Sequence, residues 1–154
     1  MAMNSFFTSL YKKFSRLQEQ AGDLESLMKS TAELLQTEVA HYDWVGFYLL
    51  DPENKMLVLG PFKGAPTEHT HIPVGKGICG QVAESWQTMT IQDVTQQENY
   101  LACSMDVQSE IVVPILSNGV FVAQIDIDSH AYAPFTPEDE RFLAAIADQV
   151  ARFF

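Results

Sequence analysis

The sequence predicts an α+β fold in which one antiparallel sheet carries the helices from both ends of the chain on one face. Apolar residues recur at helical spacing at both ends, and short apolar segments separated by turn residues fill the middle. Hairpin turns between these segments argue against a doubly wound parallel sheet. A chain of 154 residues, 47% of them hydrophobic, is large enough for one domain with its own core.

The N-terminal part is expected to form two helices. The first has an apolar stripe of Phe7, Leu10, Phe14 and Leu17, and the second has one of Leu24, Leu27, Met28, Thr31, Leu34 and Leu35. The C-terminal helix is predicted from its cap. Thr136 suits the N-cap, Pro137 suits the first turn, and the acidic residues 138–140 lie at the positive end of the helix dipole.

The middle of the chain is predicted to form a sheet interrupted by one helix. We expect strands at 44–50, 56–59, about 69–73, 89–91, 111–116 and 120–128, and a helix at about 78–86. Asn118-Gly119 is a strong hairpin signal because both turn positions tolerate positive φ.

The whole chain, residues 1–154, is therefore expected to be one domain. Its N-terminal helices would span about 4–39, its sheet and pocket about 43–129, and its C-terminal helix about 137–153. The terminal helices cover one face of the sheet in this arrangement, so the opposite face is free to hold a small molecule.

The net charge of −11 limits the classes of partner. A basic surface is needed to bind nucleic acid or an anionic membrane, so neither is expected as a partner. The N-terminus carries its basic residues after the apolar ones, which is the reverse of a signal peptide, and a cytoplasmic location is expected. In that compartment a disulfide between the two cysteines would be transient and catalytic rather than structural.

Strand periodicity selects candidate binding residues. In 120–128, Asp126 and Asp128 share one face with Gln124, opposite a face of Phe121, Ala123, Ile125 and Ile127. Two carboxyl groups roughly 6.6–7 Å apart along a strand are costly unless they are solvated, capped or used. A solvent-exposed strand end is the alternative interpretation.

Two further features favour a small-molecule site. Trp44, Gly46 and Tyr48 share one strand face, so two flat aromatic walls would flank a gap, although ordinary sheet packing explains the same pattern. Glu110 precedes a strand and could act as a general acid if burial raises its pKa. A solvated loop carboxylate is equally consistent with that position.

The two cysteines are candidates for redox chemistry. Cys103 lies in a polar loop, where a thiol is more often reactive than structural. Cys79 lies near the predicted start of a helix, where the dipole favours a thiolate. Two unrelated buried thiols are the alternative. His69 and His71 would share a strand face and could join Cys79 or His130, but this spacing is weak evidence, and no metal site is predicted.

Seven segments together carry a resemblance to a known family. They are residues 44–50, 57–62, 72–80, 102–103, 109–114, 125–129 and 135–140. In this order they resemble the free methionine-(R)-sulfoxide reductases, a branch of the GAF-domain superfamily. The resemblance runs from about residue 40 to the end of the chain and includes both cysteine segments and the paired aspartates.

The resemblance implies a thiol-dependent reductase of free methionine-(R)-sulfoxide, an enzyme of oxidative damage repair. Cys103 aligns with the nucleophile, which would become a sulfenic acid, and Cys79 with a resolving cysteine that closes a disulfide with it. Thioredoxin, supplied with electrons from NADPH, would act as a transient partner and external reductant, and no bound cofactor is implied.

The resemblance also implies the substrate-binding residues. Glu110, Asp126 and Asp128 match carboxylates that hold the sulfoxide oxygen and the substrate's ammonium group, and Trp44 and Tyr48 match the aromatic wall around its thioether end. Family members usually carry a further cysteine where this sequence has His69. The alternatives are a non-catalytic GAF sensor for a small amino acid-like ligand and a partner-binding domain that forms a homodimer through its N-terminal helices.

Overall fold

The computed structural model describes residues 3–97 and 106–154, and its centre is a six-stranded antiparallel sheet. The strands are β1 (Trp44–Asp51), β2 (Met56–Lys63), β3 (His71–Pro73), β4 (Met89–Ile91), β5 (Ser109–Ser117) and β6 (Val120–Ser129). Their spatial order is β3-β2-β1-β6-β5-β4, so β1 and β6 form the middle of the sheet. The predicted α+β class with an antiparallel sheet is confirmed.

Four α-helices accompany the sheet: α1 (Ser5–Gln20), α2 (Leu24–Glu38), α3 (Gly77–Ser85) and α4 (Pro137–Val150). Three of them begin at side-chain caps. Asn4 accepts a hydrogen bond from the backbone N–H of Phe7, Asp23 accepts one from that of Ser26, and Thr136 starts α4 with a capping box. Among the described helices, none is both long and apolar enough to cross a membrane.

The three terminal helices cover one face of the sheet. Their buried apolar residues pack against Val45, Phe47, Ile111, Val113, Ile115, Ala123, Ile125 and Ile127 of the sheet in one continuous core. The opposite face carries a second cluster, in which Tyr48, Val112 and Phe121 pack near α3. This division follows from the period of two along a strand.

One residue departs from the predicted alternation. Phe121 was expected to share the face of Ala123, but it packs with the second cluster, on the α3 side. The cause is a register shift in the β5–β6 ladder, where Ile115 pairs with Ala123 and Leu116 pairs with Phe121. The turn itself is as predicted, since Asn118 and Gly119 have φ of 52° and 80°.

A buried carboxyl group fixes α4 to the start of the sheet. Asp139 accepts hydrogen bonds from His41 at 2.8 Å and from the hydroxyl of Tyr42 at 2.7 Å, and it also accepts the backbone N–H of Thr136 at 2.8 Å. Burial alone would raise the pKa of Asp139, but its hydrogen bonds to His41, Thr136 and Tyr42 outweigh burial and lower the pKa below its ordinary value.

We predict that Asp139→Asn destabilises the fold by about 1–3 kcal/mol at neutral pH, because it leaves buried donors without their charged acceptor. A carboxyl group with a lowered folded-state pKa stabilises the fold above its unfolded pKa, and this contribution is lost as pH falls through the folded pKa. Urea unfolding curves should therefore show the difference between wild type and variant shrinking in acid.

The matched control for this substitution is Asp148→Asn on the same helix, since Asp148 is exposed. It should change the free energy of unfolding by no more than about 0.5 kcal/mol. Equal losses in the two variants would contradict the role given to Asp139.

Candidate functional site

The pairing of the three central strands places three carboxyl groups side by side. Across the sheet, Asp128 pairs with Trp44 of β1 on one side and with Glu110 of β5 on the other. Asp126, two residues earlier, pairs with Gly46 and Val112 in the next row. Opposed side chains in such ladders have Cβ atoms about 4.5–5.5 Å apart, so these carboxyl groups form one cluster.

This acidic cluster is buried. Glu110 is 4% exposed, and Asp126 and Asp128 are each 1% exposed, so a solvated strand end and a solvated loop carboxylate are both ruled out. Burial, followed by the charges of Asp126 and Asp128, raises the pKa of Glu110 well above its ordinary value. Burial also raises the pKa of Asp126, although hydrogen bonds with Glu110 and Cys79 and the charge of His69 oppose the increase.

Cys79 lies against this cluster in the first turn of α3. Its thiol is buried and donates a weak hydrogen bond to Glu110, with the sulfur 3.9 Å from Oε2. The expectation that the helix dipole stabilises a thiolate at Cys79 was wrong. Burial, followed by the charges of Asp126, Glu110 and Asp128, raises the pKa of Cys79 well above its ordinary value. The helix dipole is therefore outweighed, and the group is a neutral thiol.

The aromatic residues form one wall of the site, but without the expected gap. The indole of Trp44 lies over Gly46 and stacks on Phe62 with ring centroids 5.4 Å apart. The Trp44 N–H donates to the carbonyl of Ala65 at 3.0 Å, and the Tyr48 hydroxyl donates to the carbonyl of His69 at 2.7 Å. The space above Gly46 therefore belongs to Trp44 itself.

Two cavities adjoin the acidic cluster. The smaller, of about 10 Å³, is lined by Tyr48, His69, Ile72, Gly77, Ile78, Cys79, Glu110 and Asp126. The larger, of about 310 Å³, is lined by Gln36, Asp43, Trp44, Gly64, Ala65, Val107, Asp128 and His130. The larger cavity reaches the lower end of the size range of small-molecule sites, and it brings an aromatic ring and a carboxyl group together.

The structure separates the two histidines that were expected to share a face. His71 is exposed on β3, whereas His69 precedes that strand and lines the smaller cavity. Sequence reasoning considered His69 as a weak metal ligand with His71 and Cys79 or His130, and as the residue at the family's further cysteine position, but no local signal placed it beside Asp126. Cys103, the candidate nucleophile, lies outside the described residues.

Gln124 is a further polar residue on the site face. It is fully buried between Tyr48 and Pro114, and its amide has no hydrogen-bond partner among residues 3–97 and 106–154. A buried, unpaired amide costs about 1–3 kcal/mol, so this face of the sheet is less stable than an apolar face would be.

Comparison with known proteins identifies the fold and then the family. Residues 23–153 match the GAF domain family. Over 152 residues the chain is 34% identical to a free methionine-R-sulfoxide reductase from Escherichia coli, with 99% of this chain and 90% of the relative aligned.

Solved structures agree. The substrate complex of the free methionine-R-sulfoxide reductase from Neisseria meningitidis has a TM-score of 0.92 at 31% identity, covering 100% of this chain and 92% of that one. The type II free methionine-R-sulfoxide reductase from Thermoplasma acidophilum has a TM-score of 0.79 at 38% identity, covering 90% and 97%. The chain belongs to the GAF-domain superfamily and, within it, to the free methionine-R-sulfoxide reductase family, a family of oxidoreductases.

We predict that Gly46→Ala displaces the Trp44 ring, because a methyl group there would lie 2.6 Å from Cζ3 of the indole and 3.0 Å from Cβ of Phe62. The expected loss is about 1–3 kcal/mol of unfolding free energy, together with a change in tryptophan fluorescence. Gly22→Ala is the matched control, since nothing lies within 4 Å of a methyl group there. Unchanged fluorescence in Gly46→Ala would show that the ring does not occupy this space.

We also predict that Cys79 reacts slowly with thiol reagents in the native protein. In a Cys103→Ser background, where Cys79 is the single remaining thiol, modification at neutral pH should be at least about 100-fold slower than for glutathione, because the thiol is buried and its pKa is raised. Denaturant should restore the ordinary rate. A native rate equal to that of glutathione would rule out the buried neutral thiol.

Proposed function

We propose that this protein reduces free methionine-R-sulfoxide to methionine by thiol chemistry. The supporting observation is the burial of Glu110, Asp126 and Asp128 between an aromatic wall and Cys79. Such a cluster needs a cation or a proton, and the substrate brings a cationic ammonium group and an oxygen that must be protonated to leave. Family membership supplies the reaction class.

The binding step follows from the chemistry of the two walls. The acidic cluster receives the ammonium group and the sulfoxide oxygen, and the rings of Trp44 and Tyr48 contact the methyl and thioether end. Glu110, whose pKa is raised well above its ordinary value by burial and then by the charges of Asp126 and Asp128, is the carboxyl group suited to donate a proton to the oxygen. A cluster that binds an α-ammonium group is suited to free methionine sulfoxide rather than to the peptide-bound form.

The redox steps involve the two cysteines. The Cys103 thiol attacks the sulfoxide sulfur, the oxygen passes to Cys103 as a sulfenic acid, and methionine leaves with its sulfur reduced. The Cys79 thiol then attacks the Cys103 sulfenic acid, so that a disulfide forms and one water is released. Two thiols of thioredoxin reduce this disulfide and are themselves oxidised, with NADPH as the ultimate electron source.

Coupled turnover with thioredoxin, thioredoxin reductase and NADPH tests the proposal. Free methionine-R-sulfoxide should cause sustained NADPH consumption, whereas methionine-S-sulfoxide and N-acetylmethionine sulfoxide should cause little. Cys103→Ser should abolish turnover because the nucleophile is lost. Asp126→Asn should lower kcat/KM by about 100-fold or more, and Asp148→Asn, at an exposed acid of α4, is its control.

We predict that Cys79→Ser completes one reduction and then stops. Thiol counting after a single addition of substrate should show two thiols lost in the wild type and one in Cys79→Ser, with one methionine formed in each. Sustained turnover by Cys79→Ser with thioredoxin would disprove the resolving role of Cys79. Absence of both methionine and thiol loss in the wild type would instead favour a GAF domain that binds its ligand without turnover.

A further inference from the structure

Three side chains on three different elements meet at the smaller cavity. The sulfur of Cys79 on α3 and one carboxylate oxygen each from Glu110 on β5 and Asp126 on β6 all lie within 4.8 Å of one another. All three residues are buried. Cys79 Sγ lies 3.9 Å from Glu110 Oε2. Tetrahedral zinc with ordinary bond lengths would hold a sulfur and an oxygen ligand roughly 3.5–3.7 Å apart.

Asp126 lines this space and keeps one carboxylate oxygen without a hydrogen bond to residues 3–97 or 106–154. Its Oδ1 is buried and has no hydrogen-bond partner within the part of the chain that the structure describes. Among the described residues that line the cavity, none is a lysine or arginine, and His69 is the sole side chain that can carry a positive charge. Buried carboxyl groups in a cavity that no described lysine or arginine lines favour a bound cation.

The size of the cavity restricts the identity of the cation. Its volume of about 10 Å³ is close to the roughly 10–15 Å³ that a single water molecule requires. An organic cation does not fit that space without rearrangement, but a single metal ion does. The ligand types narrow the choice further, since a cysteine sulfur selects zinc-like ions over magnesium or calcium.

We propose that Cys79, Glu110 and Asp126 form a binding site for a divalent zinc-type metal ion, with the fourth position open to water or to His69. One cysteine, two carboxylates and an open position are within the ligand set that zinc uses. On binding, the Cys79 thiol and the Glu110 carboxyl group give their protons to solvent, and the sulfur and the carboxylates bond the metal, so no oxidant or reductant is involved. The positive charge of the metal ion offsets the negative charge that these ligands then carry.

A metal ion bound at this site would also affect the proposed reaction. The same carboxyl groups are those proposed to receive the substrate, so a bound metal ion would act as a reversible inhibitor. Binding itself does not depend on the proposed reaction, and it is therefore measured without substrate or turnover.

The test titrates the reduced, metal-free full chain with Zn²⁺ by calorimetry and with Cd²⁺ by ultraviolet absorption. One equivalent of each ion should bind, and Cd²⁺ should produce a thiolate-to-cadmium charge-transfer band. Cys79→Ala should remove the band, and Cys79→Ala and Glu110→Gln should each weaken Zn²⁺ binding by at least about tenfold. A large excess of Mg²⁺ should not displace either ion.

Two controls separate this site from general attraction to an acidic protein and from the second cysteine. Asp148→Asn removes an exposed acid of α4 and should leave Zn²⁺ affinity unchanged, and Cys103→Ser should keep the cadmium band. Circular dichroism checks the fold of each variant, and Glu110→Gln provides the result if Cys79→Ala does not fold. No band in the wild type, a band that persists in folded Cys79→Ala, or equal Zn²⁺ affinity in Glu110→Gln and wild type would overturn the proposal.

Discussion

The pairing of β6 with both β1 and β5 is the constraint on which the site depends. This pairing sets Asp128 between Trp44 and Glu110, and it sets Asp126 two residues away on the same face. A shift of one residue in β6 would turn both aspartates into the helix-covered core and expose Ile125 and Ile127 to the site. Fold and chemistry are therefore linked through one register, which the apolar face of β6 holds in place.

The two faces of the sheet have different physical tasks. One face buries apolar side chains under α1, α2 and α4, and this burial provides most of the favourable free energy of folding. The other face buries three carboxyl groups, a thiol and the unpaired amide of Gln124, and each such group opposes folding. The favourable free energy of the core under the terminal helices offsets the cost of burying these polar groups on the other face.

Much of this arrangement was predictable from local sequence. Period two assigned Asp126 and Asp128 to one face, Asn118-Gly119 located the last hairpin, and Thr136 located the start of α4. These features are encoded within a few neighbouring residues, which is why a sequence pattern reveals them. The family resemblance added the roles of the two cysteines, which no local pattern specifies.

The errors arose where side-chain packing, strand register or burial decided the outcome. The shift in the β5–β6 ladder moved Phe121 to the other face, and the Trp44 ring filled the space over Gly46. Cys79 lies at a helix start, as expected, but burial, followed by the charges of carboxyl groups on β5 and β6, raises its pKa instead of the dipole lowering it. Ring packing, a register shift and burial are all set by the folded structure, so a local sequence pattern does not specify them.

The buried charge of the cluster connects the proposed binding of a cation with the protonation state of Cys79. In the free protein, Cys79 is held as a neutral thiol by burial and by the three neighbouring carboxyl groups. A cationic group that enters the cluster offsets those negative charges and favours the thiolate, whether that group is an ammonium or a metal ion. An ammonium group leaves with the product, whereas a metal ion would bond the sulfur and hold it. The same electrostatic cost that raises the pKa of Cys79 would therefore favour either kind of cation in the cluster, and only a metal ion would bond the sulfur.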